Sequence, residues 1–379
     1  MHPVLSYAIE RQKDIIDFIG ELVRSESPSD APSSINRFQD LLADRSKDIA
    51  EAEIFPSSRF GQHLKLRFKL SGAKKQGQIL GLGHSDTVWP LGSLKDMPFR
   101  EENGRLWGPG VLDMKAGLAF FIFAVRACHD LNLSVKRPVA LLVVSDEEVG
   151  SETSRELTER EAAKSAAVLV LEPGTGLAGK LKTARKGVGA YTIRVKGRAS
   201  HAGVDFSSGA NAIVELARQI ERVADFTDIR RGITVNPGVI RGGTRSNVVA
   251  AEAEAHIDIR VVKPGDVIRL DRKFRALKPY DGRCEVMVEG GLNRPPMERT
   301  RQVRALFRKA RTLGKELGVK LEESATGGGS DGNFTAALGI PTLDGLGGVG
   351  EGAHAPHESI VIDRIADRTA LLAGLLAEL

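Results

Sequence analysis

Three short apolar runs, each ending in acid or imidazole, constrain this chain more than any other feature. Gln78-Ile-Leu-Gly-Leu-Gly-His-Ser-Asp86 is too short and too interrupted by glycine for a helix. It reads as a buried strand that ends in His84-Ser85-Asp86. Residues 139–145, rich in Val and Leu, end in Asp146-Glu147-Glu148, and residues 167–171 end in Glu172-Pro173-Gly174. Helical stretches separate the runs, one over about 115–131 and one reaching about 164. Apolar strands alternating with helices predict a doubly wound α/β sheet covered on both faces, with its ligands at the carboxyl edge of the strands.

The flanking segments fill in that plan. An amphipathic helix over the first 23 residues is followed by paired strands at 52–55 and 63–70. A Pro- and Gly-rich loop then leads to Asp113 at the mouth of the helix that begins near residue 115. From about residue 184 the pattern changes. Half-exposed strands at 190–196, 233–241, 248–262 and 284–289 alternate with helices at 210–226 and 264–277. The order β-α-β-β-α-β is that of a ferredoxin-like α+β unit. The first pattern then resumes, with a helix at 301–317, strands at 319–324 and 340–346, and a C-terminal helix. The reading is therefore a mixed-sheet catalytic domain over 1–185 and 295–379, with an inserted domain over 186–294. A chain of 379 residues is long enough for two cores.

Composition narrows the function classes. With 41% hydrophobic residues and no long apolar run, the chain carries no transmembrane signal and no membrane partner is expected. The net charge of +5 is spread along the chain, apart from basic clusters at 299–304 and 308–311 that read as a solvated helix face. No nucleic-acid-binding motif accompanies them, so no nucleic-acid partner is expected. Cys128 and Cys284 have no metal spacing and read as buried, reduced thiols. With no signal-peptide pattern at the N-terminus, they point to a cytoplasmic protein.

The strand ends collect His84, Asp113, Glu147, Glu148, Glu172 and His354. Two imidazoles, three carboxylates and one carboxylate to spare suit a pair of divalent ions, with one carboxylate bridging. Nitrogen and oxygen ligation without thiolate favours Zn2+, two per subunit, with Co2+ or Mn2+ as substitutes. Adjacent residues at a strand end diverge, so one of Glu147 and Glu148 can bind metal while the other serves as general base. Asp86, two residues past His84, points the same way and can accept the second ring proton of His84. His63, His129 and His256 read as structural, without acidic partners. His357 competes with His354.

His84-Ser-Asp86-Thr, Gly108-Pro-Gly-Val-Leu-Asp113-Met-Lys-Ala-Gly117, Asp146-Glu-Glu148, Leu171-Glu-Pro173, Ser200-His-Ala-Gly203 and His354-x3-Glu358 occur in one order over nearly the whole chain. This order resembles the zinc-dependent exopeptidases and deacylases that include glutamate carboxypeptidase, aminoacylase, acetylornithine deacetylase and succinyl-diaminopimelate desuccinylase. The resemblance implies that His84 and Glu172 hold one metal and Glu148 and His354 the other. It makes Asp113 the bridge and Glu147 the base, and it implies a cis Asp113–Met114 bond. It also implies that the inserted domain is a lid and dimerisation domain whose His201 serves the partner subunit's active site. The Gly108-Pro-Gly form of the loop and Glu172 resemble the glutamate carboxypeptidase branch. There Arg294 and Asn247 would meet the substrate carboxylate, and Gly328 and Gly329 would lie in the substrate loop. Arg185-Lys186 stands where that branch has small polar residues. The expected activity is hydrolysis of the amide next to a free carboxylate in a small N-acyl amino acid or peptide. The alternatives are an N-acyl-amino-acid deacylase or a non-catalytic metal-binding protein.

Overall fold

The computed structural model describes residues 2–379. The chain divides into two compact units. One comprises Met1–Ala184, Arg299–Ala325 and Ser330–Leu379; the other comprises Arg185–Glu298 and Thr326–Gly329.

The first unit is built on a six-stranded mixed sheet, ordered Ala50–Phe55, His63–Phe68, Val139–Val144, Gln78–His84, Ser165–Val170, Thr342–Leu343. The first two strands pair antiparallel, and His63–Phe68 runs antiparallel to Val139–Val144. The remaining pairs are parallel. Alternate residues of the central strands enter two separate cores. Ile79, Leu141, Val143 and Leu169 join one, with helices Gln12–Arg24, Ala116–Asp130 and Ile365–Glu378. Leu80, Leu82, Leu142 and Val168 join the other, with Leu157 and Ala162 of helix Arg155–Ala163. Both faces being dry explains why these strands read as continuous apolar runs rather than as alternation.

Close approach of helix Ala116–Asp130 to the sheet depends on missing side chains. A Cβ on Gly81 would stand 2.6 Å from the Phe121 ring, and one on Gly117 would run into the carbonyl oxygen of Leu171. The helix therefore settles directly over the strand that ends at His84.

The second unit has a four-stranded antiparallel sheet, ordered Thr234–Gly242, Glu252–Val261, Gly187–Lys196, Glu285–Arg294. Helices Ala212–Ala224 and Pro264–Arg275 complete the ferredoxin-like order. Asn211 caps the first of these helices by accepting from the amides of Ile213 and Val214. The core gathers Tyr191, Ile193, Leu216, Ile257 and Phe274, with Tyr191 stacked on Phe274 at 3.9 Å between ring centroids. Among the described residues no helix is long and apolar enough to cross a membrane.

Candidate metal centre

Register brings the strand ends to one edge. His84 is level with Val144, and Leu82 is level with Val170. The residues just beyond, Asp86, Glu147, Glu148 and Glu172, therefore emerge together at the carboxyl side of the sheet. Asp113 arrives from the loop before helix Ala116–Asp130, and the Asp113–Met114 peptide is cis. His354 sits between the short strands Gly350–Glu351 and Ser359–Val361 with φ of 61°, a left-handed backbone that His adopts more readily than most residues.

Five of the six candidate side chains converge; Glu147 belongs to neither of the groups they form. His84, Asp113 and Glu172 form one group, and Asp113, Glu148 and His354 a second, with ligand atoms in each group within 4.8 Å of one another. Asp113 belongs to both. Its Oδ1 lies 3.2 Å from His84 Nε2 and its Oδ2 lies 3.5 Å from His354 Nε2. Glu172 Oε1 stands 3.8 Å from His84 Nε2, and Glu148 Oε1 stands 3.1 Å from His354 Nε2. His84 is buried, whereas His354 is about half exposed.

Electrostatics fits this donor set to cations. His84 Nδ1 is 2.8 Å from the carbonyl oxygen of Asp86, which can only accept, so that nitrogen carries the proton. A neutral His84 then aims the lone pair of Nε2 at two carboxylates, an arrangement stable only with positive charge between them. Burial pushes the His84 pKa down, but hydrogen bonds to Asp113 and Asp86 outweigh it and hold the group well above the usual histidine range. His354, hydrogen-bonded to Asp113 and Glu148, is pushed up to about 10. For Asp113 burial alone would raise the pKa. Its bonds to both imidazoles win and hold it far below the usual carboxylate range. Two divalent ions on these ligands would supply the charge that protons otherwise supply, so the residues fit a dinuclear metal centre.

Two carboxylates outside the ligand groups fix the backbone beneath it. Strand geometry predicts that the Asp86 side chain takes the ring proton of His84, but the nearer acceptor is the Asp86 backbone. The carbonyl lies 2.8 Å from Nδ1, and carboxylate Oδ1 gives a longer second contact at 3.5 Å. The Asp86 carboxylate accepts from the amides of Glu147 at 3.2 Å and Glu148 at 3.1 Å, and from Ser29 Oγ at 2.8 Å. It thus ties the turn bearing both glutamates to the strand bearing His84. Glu358 does the same for the loop of Asp113. Its buried carboxylate accepts from the amides of Gly110, Leu112 and Asp113 at 2.9, 2.9 and 3.0 Å, and from Trp89 Nε1 at 2.8 Å. The motif spacing pointed to Glu358 only as a neighbour of His354.

The other histidines correct one expectation. Each has an acidic neighbour: His129 Nδ1 lies 2.9 Å from Asp130 Oδ1, His256 Nε2 lies 3.5 Å from Glu254 Oε1, and His63 feels the Asp146 charge. None of them, and not His357, enters a metal-competent group among the described residues.

The remaining candidates lie in the second unit. His201 is exposed, and its Nδ1 accepts from the amides of Gly203 and Val204, both at 3.2 Å. With Nδ1 accepting, Nε2 is the ring nitrogen left to donate. Asn247 is exposed, and its carbonyl accepts from Ala202 at 3.0 Å, bracing the same loop. Arg294 is buried, and a Cβ on Gly329 would meet its Cδ at 2.9 Å. Arg185, the departure noted in the sequence, is also buried. It donates through Nη1 to the carbonyls of Gly328 at 3.1 Å and Gly329 at 2.9 Å, so it shapes the glycine loop.

A profile of Peptidase family M20/M25/M40 matches residues 81–378. The chain belongs to this family. Carboxypeptidase G2 of Pseudomonas sp. (strain RS-16) is 28% identical to it over 381 residues, covering 98% of this chain and 91% of that protein. Two solved structures share the fold. A tripeptidase from Staphylococcus aureus is 20% identical with a TM-score of 0.78, covering 97% of this chain and 99% of that one. A Bacillus subtilis protein described as a dinuclear metal binding peptidase of the M20 family is 13% identical with a TM-score of 0.68, covering 97% of each chain. The present M20 chain is thus a metallopeptidase/amidohydrolase with candidate ligands for a metal on which its family depends.

Proposed function

We propose that this M20 enzyme is a dinuclear zinc hydrolase that cleaves the amide bond next to a free C-terminal carboxylate, as a glutamate-type carboxypeptidase. The observation that carries the reading is the pair of ligand groups sharing Asp113. His84 and Glu172 would hold one ion and Glu148 and His354 the other, with Asp113 in reach of both. A metal bound by these residues would supply Lewis acidity for the substrate carbonyl and for an attacking water. Glu147, adjacent to a ligand but in neither group, takes a proton from the attacking water and hands it to the leaving amine. Asp86 holds the Glu147 amide, so the base keeps its place while its proton load changes.

Arg294 and Asn247 are assigned to the substrate carboxylate, Gly328 and Gly329 to the loop beside it, and His201 to the developing oxyanion of a partner subunit's site. The assembly is proposed as a homodimer through the inserted unit, in the cytoplasm.

Metal analysis and a kcat/KM panel test the reading together. Two zinc ions per chain are expected, with peptidyl and N-acyl glutamates preferred over substrates ending in neutral residues. A preference set by the acyl group and indifferent to the C-terminal residue would favour the deacylase alternative. Zinc bound without hydrolysis of any N-acyl or peptidyl amino acid would sink the reading.

A further inference from the structure

Helix Arg301–Glu316 of the first unit carries a concentration of charge that the metal centre does not use. Residues 299–320 contain eight basic side chains and one acidic one, a net of +7 in a chain whose total is +5. Their spacing is not random. Arg301, Arg304, Arg308, Arg311 and Lys315 follow one another at intervals of three and four, which at about 100° per residue makes a single stripe. That stripe borders the buried face formed by Val303, Leu306, Phe307, Ala310 and Leu313. All five basic side chains are exposed.

Neighbouring basic side chains find carboxylates. Arg299 holds Glu323 through two bonds of 2.7 and 2.6 Å, and Lys180 and Lys320 both hold Glu322. Arg301, Arg304 and Arg308 have no ion-pair or hydrogen-bonding side-chain partner among the described residues. Arg311 lies over the Phe307 ring at 6.0 Å. Like charges at these intervals repel and destabilise a helix, and Arg301, Arg304 and Arg308 carry that repulsion without a partner carboxylate among the described residues. The stripe also borders a depression of about 450 Å³, lined by Arg299, Arg301, Arg304, Arg308 and Arg311 with Phe307 and Glu323. Glu323, its one acid, is neutralised by Arg299.

We propose that this arginine-lined depression is a binding site for a small polyanion bearing two or more phosphate groups, separate from the metal centre. Planar guanidinium forks match phosphate oxygens in pairs, and several converging on one concavity favour a compact multivalent anion. The volume is that of a small-molecule site. The bordering apolar face is buried, and Phe307 is covered. Although Phe307 lines the depression, Arg311 lies over its ring and little of it is exposed, so its face is not open to base stacking, which argues against nucleic acid.

The test is calorimetric titration of the zinc-loaded full chain with sodium triphosphate at 50 and 200 mM NaCl. The comparison is with the double variant Arg304→Ala/Arg308→Ala and with Lys309→Ala on the neighbouring face. All three proteins keep the same metal centre, so chelation cancels in the comparison, and alanine favours the helix. Saturable binding that weakens with salt is expected. It should weaken roughly tenfold or more in the double variant and change little in Lys309→Ala. Peptidase activity without the anion should be unchanged, and triphosphate should raise the melting temperature of the parent but not of the double variant. Absence of saturable binding at 50 mM NaCl, or equal losses in both variants, would overturn the proposal. So would a single-stranded oligonucleotide that binds more tightly than triphosphate and is not displaced by it, which would make the stripe a nucleic-acid contact instead.

Discussion

Glu358 lies in neither ligand group, yet three amides of the Asp113 loop and an indole converge on its carboxylate. Removing it would leave those buried donors unsatisfied and free the loop that presents Asp113. In Glu358→Ala the affinity for the second equivalent of zinc is expected to fall about 10- to 100-fold, the range seen when supports of metal ligands are lost. Glu358→Gln should fall between, because its amide oxygen can still accept from part of the set. Competition with a chromophoric chelator reads both; unchanged affinity in the alanine variant would mean that the loop holds itself. Glu147→Gln separates chemistry from binding. Turnover is expected to drop by roughly 10²- to 10⁴-fold while both metals stay bound, because only proton transfer is lost. A variant with near-normal kcat would move the base elsewhere. At this scale the sequence announces residues whose type declares their chemistry: acids and imidazoles at strand ends. It does not announce Glu358 or the amide-binding role of Asp86. Which backbone amides converge on a carboxylate depends on loops folding back from residues far apart in the chain. Arg185 is the converse case. It reads as a disturbance of a pocket, yet in the fold it braces Gly328 and Gly329.

Among elements, the contact between helix Ala116–Asp130 and the sheet is the one the site depends on most directly. Gly117 lies four residues beyond Asp113, and a Cβ there would collide with the carbonyl of Leu171, next to Glu172. Gly117→Ala should therefore cost stability although alanine is the better helix former. About 1–3 kcal/mol is expected, the usual penalty for overpacking, measured by urea denaturation. The same variant should lose zinc, because the displaced strand end carries Glu172. A variant as stable as the parent would show that the sheet yields easily at its edge. The central strands were readable because burial on both faces imposes long apolar runs. Two flanking strands were not. The expected strand at 319–324 is displaced to Glu323–Thr326, because Gly318, with φ of 77°, reverses the chain and Val319 bonds back to Gly314 to finish the preceding helix. The expected strand at 340–346 shrinks to Thr342–Leu343 at the sheet edge. Its apolar residues beyond that point are buried as a loop, with Leu346 and Gly347 bonding to Val170 and Glu172. Apolar character predicts burial there, but not a ladder.

At the scale of the whole molecule, the metal centre makes stability a function of metal and of pH together. Without metal, the imidazole of His354 takes up its proton with a pKa near 10 in the folded protein, against 6.5 as the ordinary value. A folded value raised above the unfolded one stabilises fully below about 6.5, and that contribution is lost as pH rises through about 10. The metal-stripped protein should therefore lose this share of stability between pH 7 and 10. The metal-loaded protein should behave in the opposite sense, since each ion must displace the proton from its imidazole and binding tightens as protons become scarce. Each ion at one hundred times its dissociation constant adds about 2.7 kcal/mol. The gap in melting temperature between zinc-loaded and chelator-treated protein should accordingly widen from pH 6 to pH 9, and zinc addition at pH 7 should release protons measurable in weakly buffered solution. In His354→Asn the widening should shrink, because the displaced proton is gone. If the gap stayed constant across this range, the two imidazoles would not be the groups that metal and protons compete for, and the pairing of His84 and His354 across Asp113 would have to serve another purpose.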